Sequence, residues 1–192
     1  MHKQYSLPHL LDPKFQLAFT KNYKLKITLI NDDVKGICVF ATKTIKKDEV
    51  ISHYKITVFD EETYESPTNF TYTFAVFSKH GDCDENLIGD IDSKSFPPPV
   101  NNIPYWGCFT NEPSLNQNVN AIFNPNIKHN SKKCANKKYK LLIGDTITYN
   151  IQALRNIHVG EEILVYYGDE YERNYEINIS DDEKELCDFT KK

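Results

Sequence analysis

Four tyrosines, Tyr166, Tyr167, Tyr171 and Tyr175, surround Gly168 in the stretch ILVYYGDEYERNYE at residues 163 to 176. A phenol is apolar along its ring and polar at its tip, so it fills a core rim and also offers a hydroxyl that hydrogen-bonds without carrying charge. Two further stretches have unusual local chemistry. In KGICVFATKTIKKDEVI, residues 35 to 51, Gly36 precedes an apolar strand. The glycine either serves a hairpin or lets the backbone near Ile37 and Cys38 lie against a ligand, presenting N–H and C=O groups. In WGCFTNEPSLNQNVNAIF, residues 106 to 123, an Asn-Glu-Pro turn and further asparagines lead into an apolar strand, and Asn side chains in such turns commonly satisfy their own backbone.

The elements that must hold these residues have mostly period two. LKITLI (25 to 30), YKITVF (54 to 59), FTYTFAVF (70 to 77), TITYNIQA (146 to 153) and EILVYY (162 to 167) alternate or run apolar and are rich in β-branched and aromatic residues. The expected fold class is mainly β with short helices. Helical pieces are expected near 8 to 18 and from Asp169, as a cap, to about Asn178. FPPPVNNIP (96 to 104) must be extended and helix-free, residues 124 to 140 read as a polar loop, and Val159 and Gly160 make a turn between two strands.

Composition narrows the function classes. With 192 residues and 40% hydrophobic content, one sizeable core is expected, and no apolar run approaches the roughly 20 residues of a membrane span. The opening MHKQYSLPHLLDPKF does not read as a signal peptide. Five scattered cysteines without a Cys-x-x-Cys pair suggest free thiols in a reducing, intracellular setting, and no metal site is expected. A net charge of −4 argues against direct nucleic-acid binding and suits a basic polypeptide partner.

Order along the chain adds what no single stretch gives. The glycine-strand, the Asn-containing turn and then A-x-R-x-I-x-x-G-E-E-x-x-x-x-Y-G, with Ala153, Arg155, Ile157, Gly160, Glu161, Glu162, Tyr167 and Gly168 in place, together resemble the SET-domain family of protein lysine methyltransferases. The resemblance covers about residues 24 to 176, leaving 1–23 as an N-terminal extension, about 56–90 as the variable insert and 177–192 as an acidic tail. It implies small curved sheets of β-clip type with the C-terminal segment threaded under a loop in a pseudoknot.

The resemblance also implies the chemistry. Position by position, it gives Gly36, Ile37, Cys38, Asn111, Asn118 and Tyr171 to S-adenosylmethionine, with Cys38 where the family has a second glycine. Glu112 stands where the family usually has His, and Asn120 rivals Asn118. Tyr167 takes the place of the catalytic tyrosine; Tyr54, in a Tyr-x-Gly position whose glycine is Ile56, lines the substrate channel with Tyr167. Asp92 resembles an Asp that precedes the Asn segment, and Tyr166 and Tyr175 are assigned to packing. Methyl transfer to an amine needs a neutral nitrogen, and burial beside a sulfonium lowers a lysine pKa from about 10.4, so uncharged phenols and carbonyls suffice.

The implied substrate is a lysine of a histone or another basic protein, and a homodimer stays open. The lysine-heavy, asparagine-rich composition suggests an AT-rich genome, and with no cysteine-rich flanks the implied source is a large DNA virus, a protist or a bacterium; a viral protein acting on chromatin in a nucleus or viral factory is preferred, and a nuclear or cytoplasmic protein is the alternative. Two other readings remain: a SET-like interaction module without turnover, and an unrelated β-rich interaction protein.

Overall fold

Leu25, Ile27, Leu29, Val39 and Ala41 are all buried, and the strands that carry most of them define the first sheet. In the computed structural model, which describes residues 4–66, 71–77, 83–91, 96–125, 141–169 and 171–187, β1 (Ile27–Asp32) pairs antiparallel with β2 (Gly36–Ala41). The register runs from Ile27 opposite Ala41 to Asp32 opposite Gly36. The Asp32 carboxylate accepts from the amides of Val34 and Lys35, both at 2.8 Å, closing the turn. Gly36 follows with φ +74°, a conformation that costs glycine nothing.

The second sheet has five antiparallel strands. They are β3 (Val50–Asp60), β4 (Phe74–Phe77), β5 (Cys83–Asp90), β6 (Ala121–Pro125) and β7 (Thr146–Ala153), in the order β4-β5-β3-β7-β6. Central β3 alternates over much of its length, with Tyr54, Ile56 and Val58 buried against the core formed with Ile147, Tyr149 and Ile151. A bulge between Val50 and Ser52 shifts its register against β7. A 3₁₀ turn at Gly107–Phe109 packs under β3, where a Cβ on Gly107 would lie 2.8 Å from the Cβ of Tyr54, so only glycine fits.

Several expectations change here. The stretch 35 to 51 is no hairpin, because β2 belongs to the first sheet and β3 to the second. EILVYY is no continuous strand; it makes isolated bridges, Glu162 with Phe40 antiparallel and Leu164 with Asn111 parallel. Its pairing requirement is met by two different partners two residues apart, which a single-sequence alternation cannot reveal. The early helix splits into α1 (Leu7–Leu11) and α2 (Pro13–Asn22) at Asp12, whose side chain caps α2 by accepting from Phe15 N–H at 2.7 Å.

Among the described residues no helix starts at Asp169; residues 171 to 180 are bends and irregular chain. The helix of this region is α3 (Asp181–Cys187), in the stretch assigned to the acidic tail, and it buries Cys187 with Val119 and Ile122. The connector 96 to 104 is helix-free as expected but not extended throughout: Phe96 bridges to Tyr5, while Asn101 and Asn102, both at positive φ, turn the chain so that Val100 bridges to Ile103. Asp92 and residues 126 to 140 lie outside the described residues.

Candidate active site

The site forms where the C-terminal segment crosses between two other parts of the chain. Ile163 N–H donates to the carbonyl of Val39 in β2 at 2.8 Å, and Val165 N–H donates to the carbonyl of Asn111 at 2.9 Å. Asn120 fastens the same segment from a third direction. Its amide nitrogen donates to the Glu162 carbonyl at 2.7 Å and its Oδ1 accepts from Leu164 N–H at 2.8 Å. These bonds form the knot-like joint that brings residues near 37, 111 and 167 together despite their separation in sequence.

Asn111 is the hub of one side. Its Nδ2 lies 3.2 Å from each of three acceptors, the Ile37 carbonyl, Cys38 Sγ and Glu162 Oε1. All three contacts use the nitrogen, so Oδ1 stays available as an acceptor for a ligand. Lys35 Nζ reaches both Glu162 Oε2 and Gln117 Oε1 at 2.8 Å, tying the start of β2 to the 114 to 118 loop. Burial, reinforced by the Glu162 carboxylate, pushes the Cys38 thiol up to about 12, so it stays protonated and unreactive.

Tyr167 is the hub of the other side. Its hydroxyl donates to the Thr110 carbonyl at 2.6 Å and its N–H to Glu112 Oε1 at 2.8 Å. The ring meets that of Tyr171 edge to face with centroids 4.9 Å apart. Burial first, then the neighbouring Tyr175, Glu112 and Tyr171, hold the Tyr167 phenol well above the usual tyrosine range, so it is a neutral hydrogen-bonding group. Tyr54 is buried, donates its hydroxyl to the Tyr72 carbonyl at 2.6 Å, and feels Cys108 and Tyr167 as ionisable neighbours.

Of the residues singled out from sequence, Ile37, Cys38 and Asn111 are joined by direct contacts, and Tyr167 and Tyr171 by their rings. Gly36 begins the same strand, and the space beside its Cα is open. Asn118 stands apart on the exposed loop, where its Oδ1 accepts from Asn178 at 3.2 Å, while Asn120 is buried and committed to the joint. Tyr166 hydrogen-bonds Asp169, and Tyr175 donates to Glu112 at 3.0 Å.

With this geometry in place, comparison with known proteins decides the family: residues 36–168 match the SET-domain model. The chain belongs to the SET-domain family. Members of this family are generally protein lysine methyltransferases that use S-adenosylmethionine. Among solved structures, a Plasmodium falciparum protein provisionally assigned as a histone methyltransferase is similar, with 21% identity, a TM-score of 0.44, and coverage of 77% of this chain and 96% of that chain. With that TM-score, the family match carries the assignment. No curated relative matches significantly.

Sequence reasoning missed two ion-pairing residues that border this candidate site. Arg173 forms a two-pronged ion pair with buried Glu112, both prongs at 2.7 Å, and Lys35 pairs with buried Glu162. The one available signal was composition, since Arg173 is one of only two arginines in the chain.

Proposed function

We propose that this SET domain is an S-adenosylmethionine-dependent protein lysine N-methyltransferase acting on a histone or another basic protein. The observation that supports it best is the Tyr167 hydroxyl fixed on the Thr110 carbonyl, one residue from Asn111, whose amide touches both Ile37 and Cys38. The donor set suits the cofactor: open backbone at Gly36, a free Asn111 Oδ1, and polar ends from Lys35 and Gln117. Gly36, Ile37, Cys38, Asn111 and Tyr171 are the residues proposed to hold it; Asn118, expected from sequence to join them, is left out because it lies on the exposed loop against Asn178.

When bound, S-adenosylmethionine supplies a sulfonium methyl group and a nearby positive charge. The chain's own part is to bind the lysine amine as the neutral base and to keep it in line. Tyr167 and Tyr54 line the lysine path with phenols that burial keeps neutral, so neither adds a negative charge that would stabilise the ammonium form. Positioning of this kind supplies a large share of a two-reactant rate. Glu112 offers no competing charge because Arg173 neutralises it. No direct contact with nucleic acid or membrane is part of the proposal; among the described residues no helix is long and apolar enough to cross a membrane.

Calorimetric titration with S-adenosylmethionine and its demethylated product tests the cofactor half, and methyl transfer to recombinant core histones tests the substrate half. Binding with transfer supports the enzyme. Binding without transfer redirects the search to other basic proteins, and no binding, with or without a lysine peptide, returns the interaction module without turnover.

A further inference from the structure

Glu112 is buried, and its carboxylate is saturated. Oε1 accepts from Tyr167 N–H at 2.8 Å and Arg173 Nη2 at 2.7 Å; Oε2 accepts from Arg173 Nε at 2.7 Å and Tyr175 OH at 3.0 Å. A carboxylate has about four lone-pair sites, so none is left to take a proton from an incoming amine. Its function must be exerted through the groups it holds.

Arg173 holds the rest of the segment. Nη2 also donates to the Gly168 carbonyl at 2.5 Å, and Nη1 donates to the Tyr171 carbonyl at 2.8 Å. The guanidinium carbon lies 5.3 Å from the ring centroids of both Tyr166 and Tyr171. One side chain therefore ties Gly168, Tyr171 and Glu112 together, and among the described residues from 168 to 173 there is no helix or strand to do so. The Tyr171 ring meets that of Tyr167 edge to face.

We propose that Glu112 and Arg173 are a positioning pair that fixes the Tyr167 backbone and the Tyr171 ring as one unit, an inference that rests on the lysine-methyltransferase reading for its catalytic consequence. The pair locks the C-terminal segment onto the Asn-Glu-Pro turn, so the wall of the lysine path is complete only when this ion pair is made. Lysine cannot replace Arg173, since an ammonium lacks the planar fork that engages both carboxylate oxygens.

The test uses the full chain, R173K and R173A, read by amide hydrogen exchange and by methyl transfer from S-adenosylmethionine to recombinant core histones. In R173K, exchange at Tyr167 and across residues 168 to 175 is expected to rise about tenfold or more while β3 and β7 keep parent protection. In the same variant kcat falls about tenfold or more and KM for S-adenosylmethionine rises with it, because the Tyr171 ring that the pair holds is among the residues proposed to contact the cofactor. Added guanidinium ion, below denaturing concentrations, restores protection and turnover in part to R173A.

Parent-like protection at Tyr167 in R173K overturns the pair's role, as does a uniform rise in exchange across the sheet, which would mark a general stabiliser. Parent-like kcat in R173K, where the parent is active, overturns it too. A parent that methylates no histone, while R173K loosens only residues 167 to 175, sinks the histone methyl-transfer reading and leaves the positioning pair standing.

Discussion

At the scale of single residues, the phenol of Tyr167 does two things that can be separated. It donates to the Thr110 carbonyl, and in the proposed reaction it presents an uncharged oxygen to the lysine path. Tyr167→Phe removes the hydroxyl alone and leaves the N–H bond to Glu112 intact. Turnover is expected to fall about a hundredfold or more, as for loss of one preorganised hydrogen-bonding group in an active site. The fold should lose only about 1 to 2 kcal/mol, the cost of leaving one carbonyl without its donor. Steady-state kinetics and urea unfolding read the two effects independently; a fully active variant would remove Tyr167 from the mechanism. Gly36 makes a smaller, conformational point. Its φ of +74° strains any side chain even though the space beside it is open, so Gly36→Ala should cost about 1 kcal/mol in the same unfolding measurement.

At the scale of elements, the joint depends on a few side chains standing in for strand pairing. Asn120 is the clearest, since its amide serves the Glu162 carbonyl and the Leu164 N–H at once inside the core. Asn120→Ala leaves two buried backbone groups unpaired and should cost about 2 to 4 kcal/mol, with Leu164 exchange rising before that of β7. A parent-like urea midpoint would show that the joint is held elsewhere. This joint also explains what was legible beforehand. TITYNIQA forms β7 over the same residues because a strand paired on both sides shows its alternation and its turns in sequence. EILVYY has the same local signal, yet its partners change from Phe40 to Asn111 within three residues, and only tertiary structure supplies them. Asn111, Tyr167 and the Gly36 strand were legible because their types and order are distinctive. Arg173 was not, because its value lies in facing Glu112 across 61 residues. α3 was missed because DDEKELC buries just Cys187 and so carries almost no apolar period.

At the scale of the whole molecule, burial of phenols and thiols has a consequence for pH. Cys38 is raised from 9.0 to about 12, and Cys108 is raised as well, in both cases mainly by desolvation. Tyr64 is raised from 10.0 to about 12, and Tyr54, Tyr72, Tyr105 and Tyr167 are all raised with burial as the leading cause. For each group the native chain keeps a proton that the unfolded chain releases, near 9.0 for thiols and 10.0 for phenols. The unfolded state then binds fewer protons, so the slope of unfolding free energy with pH is negative. Their stabilising contribution is whole below about pH 9 and declines as pH rises toward 12 and beyond. The urea midpoint should therefore fall steadily between pH 8.5 and pH 11, and Cys38→Ser should blunt the first part of that fall by removing one of the earliest groups to titrate. A midpoint flat across this range would mean that these groups reach solvent in the folded protein. In that case the neutral phenol wall proposed for the lysine path would not exist. Turnover gives the opposite slope over the same window: a deprotonated lysine is the nucleophile, so kcat/KM should rise with pH until the fold begins to yield. A rate optimum set by unfolding, coinciding with the loss of midpoint, would tie the chemistry of the site to the burial that builds it.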